Sequence, residues 1–152
     1  MKFYLDGYNV IGAIEHIELS DQNKVPKFIE WIQKHKRKGQ QLVVIFDGQN
    51  EFQLSPTKEQ LPSITIIHTS GTRSADDYIK EKVFTLNDKS NKVIVTSDRD
   101  IIFHAKKAKF KVISSREFIM MFTKKEEGEE RKYSPKISDR HVNYWLDQFN
   151  KD

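Results

Sequence analysis

Apolar residues in this chain fall into short, nearly continuous runs, separated by longer stretches where they recur at helical spacing. The short runs are Lys2 to Leu5, Leu42 to Phe46, Ile64 to Ile67, Val93 to Val95 and Lys111 to Ile113. They are rich in Val, Ile and aromatics and lack polar alternation, so they predict strands buried on both faces. Between them, Val25, Phe28, Ile29 and Ile32 follow the i, i+3, i+4, i+7 pattern, with Gly39 placed to stop that helix. Ala75, Ile79, Val83 and Leu86 form a second stripe. Ile101 to Ala108 and Glu117 to Phe122 give shorter helices, and Val142, Trp145, Leu146 and Phe149 mark a last one over about Ser138 to Asn150. Strand alternating with helix predicts right-handed crossovers and an α/β fold, with a central parallel sheet covered on both faces. Lys124 to Lys136 interrupts the pattern: it is charge-dense, carries Gly128 and Pro135, and reads as a loop. No repeat or boundary divides the chain, which reads as one domain over residues 1–152.

The apolar runs stop at acidic residues. Lys2 to Leu5 ends in Asp6, Leu42 to Phe46 in Asp47, and Val93 to Val95 in Thr96-Ser97-Asp98. In a parallel sheet the carboxyl ends of the strands share one edge, where ligands bind in open α/β folds. Asp76 and Asp77 open the helix after the third run and belong to the same edge. An Asp closing a strand can equally cap the next helix. At Asp6 the following Gly7 lets the backbone turn sharply and leaves space for a ligand. Asn9 is placed to hydrogen-bond Asp6 or a neighbouring carboxylate, or to bind phosphate. At Asp47, the sequence Gly48-Gln49-Asn50 fits a plain turn equally well. Ser74 and Asp77 carry capping-box spacing, as do Ser97 and Asp100, which gives Asp77 and Asp100 structural work. The chemical set is then Asp6, Asp47, Asp76 and Asp98, with Asp77 and Asp100 in second rank.

Four carboxylates on one rim repel each other unless a cation sits among them. An all-oxygen set suits Mg²⁺ or Mn²⁺, either of which assists water in attacking a phosphodiester. Between the third strand and its helix, Thr69 to Ser74 offers hydroxyls, Gly71 and Arg73 as a phosphate cradle, with Thr72 and Arg73 as its contacts. Ser97 is placed to orient a carboxylate or bind phosphate, and Tyr8 to stack on a base. No nucleotide-binding glycine motif occurs, so no nucleotide cofactor is expected. His16, His35, His68, His104 and His141 lack ligand spacing and read as surface or packing residues.

Charge sharpens this reading. The net charge is +4, and basic residues cluster at Lys34-His35-Lys36-Arg37-Lys38 and at Lys106, Lys107, Lys109 and Lys111. Such clusters are either solvated helix ends or a grip on a polyanion backbone; Lys36 and Arg37 are the contacts expected of the second reading. Cysteine is absent, which removes disulfides and thiolate chemistry and fits a reducing, cytoplasmic setting. Asp6 leaves no room for a signal-peptide apolar stretch, and no apolar run is long enough to span a membrane.

At these residues the chain resembles the YacP-like branch of the NYN family, a group of PIN-like nucleases. The pieces are Phe3 to Ile11, Val43 to Gly48, Ser74 to Ile79 and Val95 to Asp98, with Trp145-Leu146 similar to that branch's last helix. The family often has Thr where this chain has Ser74. The resemblance implies a PIN-like, Rossmann-like three-layer α/β/α fold. It also implies divalent-metal-dependent endoribonuclease activity, with Asp6, Asp47, Asp76 and Asp98 in the acidic pocket and RNA, single-stranded or structured, as partner. An RNA-binding module that cuts little and a structured-DNA nuclease are the rival readings.

Overall fold

Every apolar run named above becomes a strand in the computed structural model, which describes residues 1–48, 52 and 54–130, with side chains described as far as Thr123. The elements run β1 (Lys2–Asp6), α1 (Gly7–Ile11), α2 (Lys24–His35), β2 (Gln41–Phe46), β3 (Thr57–Leu61) and β4 (Ile64–His68). They continue with α3 (Ala75–Tyr78), which passes into a π-helical turn over Ile79–Val83, then β5 (Lys92–Val95), α4 (Arg99–Lys107), β6 (Lys111–Ile113) and α5 (Ser115–Glu130). The six strands form one sheet in the order β3-β4-β2-β1-β5-β6. All pairs are parallel except β3 with β4.

Alternate residues of each buried strand feed two cores. On one face Phe3, Leu5, Val44, Phe46 and Val95 meet α2 and α5 through Phe28, Trp31, Ile32, Phe118 and Phe122. On the other, Tyr4, Val43, Ile45, Ile67 and Ile94 meet Ala75, Ile79, Val83, Ile101 and Ala105. The stripe of Ala75, Ile79 and Val83 is buried as its spacing predicts, although Phe84 N–H bonds Ile79 O and widens the last turn to π geometry.

Three elements depart from expectation. Strand β3 was not predicted, because Thr57-Lys58-Glu59-Gln60-Leu61 has a single apolar residue at its end. It is an exposed edge strand made by a tight hairpin through Pro62 and Ser63, where Ser63 takes φ 62°. Charged side chains on such an edge discourage pairing with another chain. Helix α1 is too short to show a periodicity. Helix α5 continues to Glu130, into the charged segment expected to be a loop from Lys124. Lys and Glu are strong helix formers, so charge density alone did not mark a loop there. Residues 131–136 of that segment and the helix expected over Ser138 to Asn150 lie outside the described residues.

Candidate active site at the carboxyl edge

Parallel pairing sets the ends of β1, β2 and β5 side by side: Asp6 lies opposite Ile45, and Leu5 opposite Val95. Asp6, Asp47 and the turn from Thr96 to Asp98 therefore leave the sheet at one edge. Asp6 is the most buried of these carboxylates, and its pKa is raised to about 6. Loss of solvent is the main cause; a hydrogen bond donated by Thr96 Oγ1 at 3.2 Å opposes it, while the charges of Asp47, Asp98 and Asp76 add to the rise. The three charges that act on Asp6 are thus those of the other three aspartates in the predicted set.

Each of the four is tethered through one oxygen. Asp6 Oδ2 takes the Thr96 hydroxyl. Asp47 Oδ1 accepts from Ala75 N–H at 2.5 Å, which ties the end of β2 to the start of α3. Asp98 Oδ1 accepts from Asp100 N–H at 2.9 Å and Ile101 N–H at 3.4 Å. Asp76 Oδ1, shielded from solvent, lies 3.2 Å from Lys80 Nζ. The second oxygen of each carboxylate has no hydrogen-bond or ion-pair partner among the described residues.

The chain matches the YacP-like NYN domain over residues 3–152. It belongs to that family. Among solved structures it is similar to Rae1 (YacP) from Bacillus subtilis in a W164L mutant, at 22% identity and TM-score 0.66, covering 93% of this chain and 90% of that one. It is also similar to Rae1 (YacP) from Bacillus subtilis without that substitution, at 20% identity and TM-score 0.61, covering 99% and 84%. A comparison with curated protein sequences found no match. Family and fold together make this a nuclease-like domain with an α/β PIN-like architecture, in which the edge bearing the four aspartates is the candidate active site.

The helix caps differ in part from the expected ones. The cap of α4 is Asp98, not Ser97 acting with Asp100, because a carboxylate at the N-cap reaches the N–H groups two and three residues on. Asp98 therefore combines a capping oxygen with a free one. Asp100, the second-rank candidate, is instead held by Lys80 and lies 3.4 Å from His104 Nε2. Ser74 does cap α3, accepting from Asp77 N–H at 3.1 Å, and Asp77 itself is exposed. Gly7 leaves no vacancy for a ligand: a Cβ there would collide with the Phe46 ring, so the glycine admits core packing. Gly48 likewise lies against the Thr69 and Ser70 carbonyls, and its N–H donates to Thr69 Oγ1 at 2.8 Å.

The predicted substrate contacts are dispersed. Asn9 does not hold a carboxylate; its Oδ1 accepts from Ser97 N–H at 2.8 Å and from Ser115 Oγ at 2.6 Å. Ser97 Oγ accepts from Ser115 N–H at 3.2 Å, so Ser97 serves the turn. Tyr8 is half-buried against Phe46, ring centroids 4.9 Å apart, with Lys24 Nζ 5.4 Å from its ring. Thr72 is exposed in the loop before α3, whereas Arg73 is ion-paired with Glu81. Lys36 and Arg37 follow the end of α2 and precede β2, whose first residue, Gln41, lies opposite Lys2. That is the amino edge of the sheet, across from the aspartates. Arg37 there donates to Met121 O at 3.4 Å. Lys106 to Lys111 runs from the end of α4 into β6 and is at the same amino edge.

Three contributors were missed. Thr96 is fully buried and donates to Asp6 while its Oγ1 accepts Asp98 N–H at 3.1 Å. Lys80 joins Asp76 to Asp100. Ser115, 1% exposed, holds Asn9. Position at a strand end was the available signal for Thr96, and a hydroxyl two residues past β6 for Ser115.

Among the described residues no three acidic or histidine side chains are gathered closely enough to hold a metal ion directly. The donor chemistry still fits a hard divalent cation: the oxygens without a partner among the described residues are all carboxylate, and burial together with three neighbouring carboxylates raises the pKa of Asp6, which a cation would lower. Mg²⁺ keeps several waters and needs only one or two direct carboxylates, so a looser acidic rim suits it. No helix among the described residues is long and apolar enough to cross a membrane.

Proposed function

We propose that this protein is a divalent-metal-dependent endoribonuclease whose working groups are Asp6, Asp47, Asp76 and Asp98. The observation that carries the reading is the rim itself: three carboxylates whose charges act on a buried fourth, Asp6, each of the four held through one oxygen while the other has no partner among the described residues.

Asp6 and Asp98 are the primary ligands in this reading, and Asp47 and Asp76 complete the negative field. A bound Mg²⁺ or Mn²⁺ would supply Lewis-acid stabilisation of phosphoryl charge and an acidified water. The chain's own part is to keep the carboxylates in place before substrate arrives. Thr96 fixes the rotamer of Asp6, the first turns of α3 and α4 fix Asp47 and Asp98, and Lys80 moderates the charge on Asp76. Without a cation Asp6 takes up a proton near pH 6, which lowers the negative field at the rim. RNA is the substrate class the family resemblance favours. The phosphate contacts lie on the carboxyl edge, at Thr72 and the Asn9 amide, and not at the basic clusters of the opposite edge.

The test is incubation with labelled single-stranded RNA, structured RNA and flapped DNA in Mn²⁺, Mg²⁺ or EDTA, with Asp6→Asn and Asp98→Asn in parallel. Internal cleavage of RNA that needs the metal and both aspartates is the expected result. Cleavage surviving EDTA or either substitution would overturn the mechanism. Preferential cutting of flapped DNA would overturn the substrate. Tight RNA binding without cutting would make the protein a binding module.

A further inference from the structure

Ser115 is buried, yet it opens α5 beside the acidic edge and spends both its polar backbone and side-chain donors on that edge. Its hydroxyl donates to Asn9 Oδ1 at 2.6 Å, and its N–H donates to Ser97 Oγ at 3.2 Å. Ser97 N–H, in turn, donates to the same Asn9 oxygen at 2.8 Å. Three segments far apart in sequence (α1, the turn before α4, and the start of α5) thus meet on one carboxamide oxygen.

The consequence lies at the other end of that amide. An Asn side chain has an acceptor end and a donor end that can exchange places by a half-turn. Here both donors converge on Oδ1, and the reversed orientation would set an NH₂ group against an N–H and an O–H. The serine hydroxyl could turn to accept, but the Ser97 N–H could not. The Ser97 N–H therefore sets the amide with Nδ2 facing away from the network, the Ser115 hydroxyl adds a second anchor on Oδ1 that narrows its motion, and Nδ2 has no acceptor among the described residues. Asn9 sits three residues after Asp6, on the short helix that leaves the same strand end. A donor held at this place is complementary to a phosphate oxygen, and its fixed direction lowers the ordering cost of that contact.

We propose that Ser115 is a positioning residue for the Asn9 carboxamide, fixing its Nδ2 as a donor to a non-bridging oxygen of the substrate phosphodiester. The inference rests on the nuclease reading above for its substrate, but the locking of the amide stands apart from it. Ser115 touches no substrate; its whole effect passes through Asn9.

A double-mutant cycle on metal-dependent RNA cleavage tests this, using the full chain. Ser115→Ala should lower kcat/KM by about tenfold, the scale of one mispositioned hydrogen bond. Ser115→Thr, which keeps the hydroxyl, should recover most of that loss. In an Asn9→Ala background, Ser115→Ala should cost nothing further, because residues acting as a unit are not additive. A full tenfold loss on top of Asn9→Ala would overturn the proposal, as would an unchanged rate in Ser115→Ala. A second readout is independent of activity: the side-chain ¹H–¹⁵N signals of Asn9 should be sharp in the unaltered protein and broadened or shifted in Ser115→Ala. Identical Asn9 signals in both would overturn the lock even if cleavage fell. Absence of metal-dependent cleavage by the unaltered protein would instead sink the nuclease reading, and the amide signals would still decide whether Ser115 holds Asn9.

Discussion

The two edges of the sheet carry opposite charge. At the carboxyl edge β1, β2 and β5 deliver Asp6, Asp47 and Asp98, and α3 adds Asp76. At the amino edge the end of α2 brings Lys36 and Arg37, and the passage from α4 to β6 brings Lys106 to Lys111, close to Lys2 and Lys92 at the strand starts. Each edge follows from local rules. Cations favour helix C-termini, and in a parallel α/β fold those termini all point to the amino edge. Acidic groups favour helix N-termini, which lie at the carboxyl edge. The difference lies in what holds the charges. At the amino edge Arg37 donates to a backbone carbonyl, and Lys89, nearby, to Ala108 O. At the carboxyl edge burial, and then the charges of Asp47, Asp98 and Asp76, raise the pKa of Asp6. Burial, with three like charges nearby, holds Asp6 above the ordinary carboxylate range, and a carboxylate in that setting is a functional-site candidate suited to a cation.

The largest expected effect breaks the acidic edge directly. Asp6→Asn should reduce metal-dependent RNA cleavage by about a thousandfold or more, the scale of losing metal-ion stabilisation of phosphoryl charge. The same substitution should stabilise the metal-free protein. The unfolded chain releases the Asp6 proton near the ordinary 3.8, whereas the folded chain holds it to about 6. Between those values the native state binds more protons, so stability falls as pH rises through the window and stays lower above it. The penalty is about 3 kcal/mol. Urea unfolding at pH 4 and pH 7 in EDTA should show a larger decline in the unaltered protein than in Asp6→Asn. Equal declines would remove the strain from the account.

Asp98 sharpens the comparison because it serves both purposes. Asp98→Ala should cost about 1 kcal/mol through loss of the α4 cap, while Asp98→Asn keeps a capping oxygen and costs far less. Both should abolish cleavage. If Asp98→Asn retained full activity, the residue would be a cap and nothing more. At the amino edge, Lys36→Glu with Arg37→Glu should leave kcat unchanged and weaken RNA binding only a few-fold, with a salt dependence reduced by about two phosphate contacts at most. A collapse of binding would place RNA across the amino edge and reverse the assignment made here. The smallest effect belongs to Asp100→Asn, which loses only exposed pairing with Lys80 and His104, so its urea midpoint should stay close to that of the unaltered protein.

Much of this was readable from residue order. Runs such as Leu42 to Phe46 are apolar on both faces, so parallel strands and their common edge followed directly, and Asp6, Asp47 and Asp98 with them. Strand β3 was hidden because pairing with β4, not burial, makes Thr57 to Leu61 extended. The cap of α4 was misplaced by one residue because Ser97 and Asp98 both suit an N-cap, and only the backbone decides between them. The basic clusters were visible as clusters, but the edge they occupy depends on the direction in which each helix runs across the sheet. Ser115 could not be found as a partner of Asn9, since residues separated by most of the domain meet only through the sheet. Asp76 was legible from its place at the start of the helix that follows the third run, and its charge does act on Asp6.

The claim that the carboxyl edge binds a divalent cation is tested most directly by thermal unfolding with and without Mn²⁺. The account predicts that millimolar Mn²⁺ raises the Tm of the unaltered protein, while Asp6→Asn starts higher in EDTA and responds little. Equal Mn²⁺ responses in the two proteins, or none in either, would contradict it.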